Sequence, residues 1–327
     1  MIASSAMQLG RNSSLRAHST GIALVGALWV IALLSIIVAG VSATTRSEVK
    51  VVRNLITATQ AQYAAEAGLN LAIVRLLSPQ SAGLLTDGSI HEFEVANTQI
   101  RLAATDEAGK IDLNHAPPEL LNFLLTGVGI PYEHSLAIVD AILDFRDGDH
   151  MRHLQGAEDE DYQLAGLPYE AKDADFETVS ELRLVPGMNA TIYAAIEPVL
   201  TVHSRHQGIN PSVASLTALR ILSGGDYEAV GTYIAERDPT RVNFTGYGAP
   251  GFIPGSFVTS AAGQAYTIDV ESRTETGTVA QLSATVAIQR GGKRARYAIV
   301  NWGHSDRRLF QEHDAARQDP PSTAFGD

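Results

Sequence analysis

"GIALVGALWVIALLSIIVAGVSATTR", residues 21–46, reaches Arg46 before it meets a charged side chain. A secretion signal has an apolar core of about 7–15 residues, whereas crossing hydrocarbon takes about 20. Residues 22–43 have the spanning length, and although Val41-x-Ala43 would make a small-residue cleavage site, the length of the run favours an anchor that is kept. Arg11 and Arg16 precede the run and Arg46, Lys50 and Arg53 follow it, so flanking charge does not set an orientation.

The sequence that follows extends the same element. "TTRSEVKVVRNLITATQAQYAAEAGLNLAIVRLL" (44–77) has no proline before Pro79. It places apolar residues at Val49, Val52, Ile56, Tyr63, Ala67, Leu71 and Val74, with Thr59 as the one polar member of the row. Steps of three and four define one stripe of an α-helix. Residues 22–77 therefore read as a continuous helix of about 80 Å, its first half lipid-soluble and its second half amphipathic.

Beyond this helix, 327 residues with 45% apolar content suffice for one or two globular domains. A net charge of −12 and a pI near 5.3 argue against a nucleic-acid partner, because phosphate demands basic patches. With no cysteine, disulfides and thiolate sites are excluded.

The segment 79–105 alternates apolar and polar residues in "IHEFEV" and "IRLAA" around "ANTQ", a hairpin signal. From Asp106 to about Leu222 the pattern is helical, starting at Pro117-Pro118 and broken at Gly127, Gly129 and Gly187. The expected helical insert spans 106–245. Strands return over 246–303, in "AYTIDVESRTETGTVAQLSATVAIQR" and "ARYAIVNW", and the polar tail 304–327 reads as disordered. A helical block between two groups of strands gives an α+β class with an inserted helical domain. Within that block "IDLNHAPPELLNFLL" (111–125) and "INPSVASLTALRIL" (209–222) resemble each other, and "FETVSELRLVPGMNATIYAAIEPVLTV" (176–202) reads as helix, tight turn, helix. Such hairpins also occur in DNA binders, but the surrounding acidity favours packing.

The segment "DAILDFRDGDHMRHLQGAEDEDYQ" (140–163) holds the residues best suited to chemistry. It carries Asp140, Asp144, Asp147, Asp149, Glu158, Asp159, Glu160 and Asp161, which repel one another unless a cation or solvent screens them. Calcium takes six to eight oxygen ligands and tolerates irregular loops. The EF-hand spacing is not met, so an acidic solvated loop is the competing reading. An oxygen-rich setting assigns His150 and His153 to the surface rather than to zinc. Paired carboxylates also serve glycosidases, but two Trp in the chain supply no sugar platform. G-x-S-x-G, H-E-x-x-H and phosphate-loop patterns do not occur.

A polar leader ending in Gly21 and running straight into the apolar segment resembles the prepilin pattern. That resemblance implies cleavage after Gly21 by a prepilin peptidase on the cytoplasmic side, with Ile22 becoming the N-methylated mature N-terminus. Pilins mostly carry Glu at the fifth mature position; here it is Gly26. "ALWVIALLS", "YAAEAGLNLA", "DEAGKIDLNHAPPELL", "GAEDEDY", "FETVSELRLVPGM", "GIN" and "YAIVNW", taken in order, are similar to the general secretion pathway protein K family, the large minor pseudopilin of type II secretion, which also lacks that Glu.

The resemblance implies a pilin-like fold of long N-terminal helix and antiparallel sheet, a helical insert, and no catalysis. It implies a single pass through the inner membrane with a periplasmic C-terminal domain at the tip of a pseudopilus. The expected partners are minor pseudopilins I and J, the major pseudopilin and the prepilin peptidase. It also implies calcium, with Asp144, Asp147 and Asp149 on one side of the loop and Glu158, Asp159 and Asp161 on the other; Asp173 or Asp175 is a candidate for a second site. Val25, Val49, Val52, Ile56 and Tyr63 are the expected helix-packing residues. Two further readings stay open, a type IV pilus minor pilin and a membrane-anchored hydrolase using the acidic loop.

Overall fold

The computed structural model describes residues 19–78, 84–237, 249–261, 263–289 and 296–312. The chain divides into two units, residues 1–57 and 58–327. Helix α1 (Ser19–Leu77) supplies the described part of the first. Among the described residues it is the one helix long and apolar enough to cross a membrane. Its large apolar side chains in the first unit, including Val25, Trp29, Val49, Val52 and Ile56, are exposed.

In the second unit the end of α1 lies on a five-stranded antiparallel sheet. The strands are β1 (Asp87–Val95), β2 (Thr98–Asp106), β5 (Ala265–Thr274), β6 (Val279–Gln289) and β7 (Arg296–Gly303), in the order β1-β2-β5-β6-β7. Alternation puts Leu102, Val270 and Leu282 side by side, and likewise Ala104, Ile268 and Ala284, as cross-strand rows buried toward the helix. The helix answers with Ala61, Ala64, Ala65, Leu69, Ala72 and Ile73. The stripe of large apolar residues lies on another face: Tyr63 and Val74 are exposed and Leu71 is half-buried. Small residues win the inner face because the backbone comes close. A Cβ on Gly68 would stand 2.9 Å from both Ile100 Cγ2 and Val270 Cγ1.

Residues 304–312, expected to be disordered, are part of the fold. Leu309 and Phe310 are buried, Phe310 N–H donates to Glu271 Oε2 at 2.9 Å, and Arg101 donates to the Phe310 carbonyl at 2.8 Å. The guanidiniums of Arg101 and Arg273 lie 4.3 and 3.8 Å from the Phe310 ring centre. A strand face that alternates to Arg101, Asp269, Glu271 and Arg273 needs polar backbone and an aromatic ring to cover it, and the polar-looking tail provides both. Residues 313–327 lie outside the described residues.

Between β2 and β5 the chain makes a helical domain. Its ends are neighbours, since Asp106 pairs with Tyr266 in the last rung between the two strands. It contains β3 (Ile111–Asp112), α2 (Pro118–Gly127), α3 (Tyr132–Arg146), α4 (Asp159–Leu164), α5 (Ala190–Ile196), β4 (Leu200–Thr201), α6 (Leu216–Leu222) and α7 (Tyr227–Glu236), with β3 and β4 paired in parallel. The core gathers Leu120, Leu124, Ile142, Phe145, Tyr162, Leu182, Ile196, Leu219 and Val230. The two similar sequences start alike: Ile111 and Ile209 are buried, and Asp112 and Asn210 each accept the amide two residues on, at 2.9 and 3.0 Å.

Two expectations change here. Ile253, Phe257 and Val258 join the helical core, and Ile209 bridges Val258, so 249–261 belong with the insert and the sheet resumes at Ala265. The segment after Phe176 forms a 3₁₀ turn over Val179–Leu184 instead of an α-helix. Pro186 holds Val185 extended, at φ −76° and ψ 129°, and ends it after six residues.

Two glycines separate the helix–sheet contact from helix propensity. Gly68→Ala is expected to destabilise the protein by about 1–2 kcal/mol, because the added methyl overpacks the core. Gly231→Ala, in α7 with nothing within 4 Å of the new Cβ, should stabilise by up to about 1 kcal/mol. Denaturant unfolding of the two variants checks both signs.

Candidate functional site

Helix α3 and the loop after it bring the carboxylates together. Asp140 and Asp144 stand one turn apart on α3, and Asp147 caps its C-terminus. The loop then folds back on these side chains through backbone amides. Gln155 N–H donates to Asp140 Oδ2 at 3.0 Å and His153 N–H donates to Asp144 Oδ1 at 3.0 Å. Gly156 makes the closure possible, since a Cβ there would lie 1.8 Å from Asp144 Oδ2. Arg146 fixes the far side by donating to the carbonyls of Leu113 and Ala116.

Two groups of donor atoms result, each within 4.8 Å: Asp144, Asp147 and His153, and His150, Glu158 and Asp173. Asp144 is fully buried with Oδ2 unpartnered, and Glu158 is 7% exposed with neither oxygen partnered. Asp173 Oδ1 and the Tyr162 hydroxyl are also buried without a partner. Buried polar atoms are ordinarily hydrogen-bonded, so four such groups in one loop mark a place shaped for something else. Burial, then the carboxylates of Asp144, Asp173 and Asp147, push Glu158 up to about 7. Burial and the neighbouring Asp149 and Asp144 likewise raise Asp147, while the hydrogen bond to Asp144 raises His153.

The other expected ligands are used differently. Asp149 accepts the Met151 amide at 2.8 Å and Asp159 accepts the Ala171 amide at 3.2 Å. Asp161 accepts the Glu158 amide at 3.0 Å, closing the first turn of α4, and pairs with Arg152 at 3.0 Å. These three fold the loop. Of the other expected ligands, Asp144 and Glu158 keep buried unpartnered oxygens, and Asp147, which accepts the Asp149 amide at 3.4 Å, lies beside Asp144 in the first group. Asp173, of the two second-site candidates, joins the cluster; Asp175 is exposed near Arg146. The two histidines are exposed, as the oxygen-rich setting suggested, yet each lends a ring nitrogen to a group. Their proximity arises from the fold-back, which spacing alone does not reveal. A largely apolar cleft of about 580 Å³, lined by Ile130, His134, Ile138, Gly156, Ala157 and Ile192, includes none of the clustered carboxylates.

At the other end, Gly21 and Ile22 lie in the first turns of α1, and residues 1–18 fall outside the described residues. Tyr63, like Val25, Val49, Val52 and Ile56, is exposed.

The chain matches two family models, type II secretion system protein K over residues 97–205 and the PilX N-terminal region over 20–70. It is 34% identical over 82 residues to type II secretion system protein K of Klebsiella pneumoniae, a quarter of each chain. It is 25% identical over 237 residues to that of Pseudomonas aeruginosa, covering 63% of this chain and 68% of the relative. The fold is similar to a chain of the GspK–GspI–GspJ complex from enterotoxigenic Escherichia coli, with a TM-score of 0.56 and 18% identity over 80% of this chain and 99% of that one. The PilX match covers most of the long helix, and the protein K match covers β2, the acidic loop and the helices up to β4. This combination of a pilin-type helix and sheet with the acidic helical insert is what the chain has in common with the type II secretion system protein K family, to which it is similar.

Proposed function

We propose that the protein is a minor pseudopilin at the tip of the type II secretion pseudopilus, a structural subunit that initiates or caps the filament. The observation that carries this reading is the acidic insert grafted between two adjacent strands of a helix-and-sheet domain, the region of the protein K match. The apolar half of α1 is a single-pass anchor of the inner membrane, and the C-terminal domain lies in the periplasm. A Cβ on Gly26 would meet nothing within 4 Å, so the chain itself has room for the carboxylate that pilins carry there. A buried charge in apolar surroundings is costly unless it is paired. A subunit without it does not need a neighbour's N-terminus beneath which to insert, which suits the end of a filament. Minor pseudopilins I and J are the partners at the tip, as the complex that holds the similar chain suggests. The major pseudopilin continues the shaft.

In this reading the prepilin peptidase removes residues 1–21. Intact mass and N-terminal sequencing of the protein purified from membranes should give a chain starting at N-methylated Ile22, and the full-length chain when the peptidase gene is deleted. A chain starting after Ala43 would overturn the pseudopilin reading.

The acidic loop holds calcium, with Asp144, Asp147 and Glu158 as ligands, and the ion supplies the charge neutralisation that lets α3, the loop and α4 pack. Unpartnered buried oxygens of the right type support this. Because calcium binds the native state, it stabilises by mass action. Asp147→Ala combined with Glu158→Ala should lower the melting temperature and abolish its response to EDTA, measured by calorimetry.

The pH dependence has a definite sign. Glu158 has a folded pKa of about 7 against an ordinary 4.5, so ionising it costs native stability. In EDTA, stability is full below about pH 4.5 and falls as pH rises through 7. His153, also raised, acts in the same direction. The melting temperature in EDTA should drop by several degrees between pH 5 and 8, and Glu158→Gln should flatten the drop.

A further inference from the structure

Just past its apolar run, α1 carries a charge opposite in sign to that of the chain as a whole. Arg46, Lys50 and Arg53 follow one another at steps of four and three, and all three are exposed. At about 100° per residue they fall within roughly 60° of one face, whereas Glu48, the one carboxylate between Ala43 and Thr57, stands about 140–160° away around the helix. A helical ion pair needs a spacing of three or four, so Glu48 does not neutralise them. Among the described residues none of the three is in an ion pair. In a protein of net charge −12, this row of uncompensated cations calls for a partner outside the chain.

We propose that Arg46, Lys50 and Arg53 bind anionic phospholipid headgroups at the surface of the bilayer that α1 spans. The inference rests on reading residues 22–43 as a retained anchor. That run makes about 33 Å of helix, enough for the ~30 Å hydrocarbon core, and the headgroup layer beyond it is about 5–7 Å deep. The backbone of Arg46 then lies about 5 Å past the end of the run, that of Lys50 about 10 Å and that of Arg53 about 15 Å. Side chains on a helix lean toward its N-terminus, here toward the membrane, and the long Lys and Arg stems carry the charge back further. The first two cations therefore reach headgroup phosphate, and the third stays within a Debye length of it. Lys and Arg beside a membrane span ordinarily gather on the cytoplasmic side, whereas these three lie on the other, so their position needs a compensating gain. An anionic surface supplies one, cation by cation. Val49, Val52 and Ile56 lie about a quarter turn from the cationic row, so a headgroup and a neighbouring helix would use different side chains.

The test uses the full chain in lipid nanodiscs, either phosphatidylcholine alone or phosphatidylcholine with a quarter of phosphatidylglycerol, and reads amide hydrogen exchange over residues 46–57. Exchange there should be slower by about fivefold or more in the anionic discs. Sodium chloride at about 0.5 M should remove most of that difference. Combining Arg46→Gln, Lys50→Gln and Arg53→Gln should make the two membranes equivalent, while Arg46→Lys with Arg53→Lys should preserve the difference. Inorganic phosphate added to the neutral discs should not reproduce the slowing; equal slowing would make the row a phosphate site and sink the lipid assignment. Identical exchange of the unaltered chain in the two membranes would also overturn it. If the triple glutamine variant then lost binding to minor pseudopilins I and J in detergent, the row would belong to a carboxylate on a neighbouring subunit instead. A chain that is not retained in either disc would overturn the anchor reading itself.

Discussion

The graft between sheet and insert depends on buried carboxylates that the chain itself satisfies. Asp106, at the end of β2, accepts the Ala108 amide at 2.9 Å and, from the returning chain, the Gly263 amide at 3.2 Å. A Cβ on Gly263 would lie 1.7 Å from its carboxylate. Glu107 is buried beside it. Burial works against its charge, but Lys110 at 2.8 Å and hydroxyls from Thr201 and Thr267 hold it below the usual carboxylate range. Since Thr201 belongs to β4 and Thr267 to β5, one side chain ties insert to sheet. Asp112 does the same within the insert, accepting the amides of Asn114 and Arg205 and the Ser204 hydroxyl. An ionised group left buried without such partners would cost several kcal/mol. Complete satisfaction therefore fixes where the insert leaves the sheet and where it returns.

The contrast with the acidic loop gives that loop its meaning. Asp106, Glu107 and Asp112 show that this chain can surround a buried carboxylate with amides, hydroxyls and a lysine. Asp144 and Glu158 are as buried, yet oxygens on both are unmatched. The loop is not short of donors either, for its amides go to Asp140, Asp149, Asp159, Asp161 and one oxygen of Asp144, and none of them reaches Asp144 Oδ2 or the Glu158 carboxylate. Carboxylates that organise the backbone and carboxylates left over are sorted to different positions. The leftovers all point at the same two places.

Much of this architecture is legible in the sequence because it is periodic or punctuated. The long helix, the hairpin, the closing meander and the proline start of α2 follow from spacing and from Gly and Pro. Partners distant along the chain are not legible. "DEAGK" looks like a motif without a reason until Gly263, Thr267 and Thr201 surround it, and Gly109 lies so close to Val213 that a Cβ would stand 2.6 Å from its carbonyl oxygen. The tail misled because Asp, Arg and Ser usually mean solvent, whereas here they match a charged sheet face. In the acidic loop the composition shows a cluster of carboxylates but not their division of labour. Asp159 and Asp161 look identical to Asp144 in sequence, and only the return of the loop shows which of them cap and which remain open.

The helix stripe and the face that packs on the sheet are different faces. Amphipathic logic assigns the largest apolar side chains to the core, which would put Tyr63 and Val74 against the sheet and the alanines outside. The fold does the opposite. Ala61, Ala65, Gly68 and Ala72 let the backbone settle onto Ile100 and Val270, while the bulky face stays in solvent. A monomer gains nothing from exposing Tyr63, Val74 and, further up the helix, Val49, Val52 and Ile56. Two apolar faces on one helix, a fine-grained one for its own sheet and a coarse one left over, make sense when the coarse face has a partner outside the chain. In the proposed role as a filament subunit that partner is another subunit's helix, the use for which the sequence offers Val49, Val52, Ile56 and Tyr63.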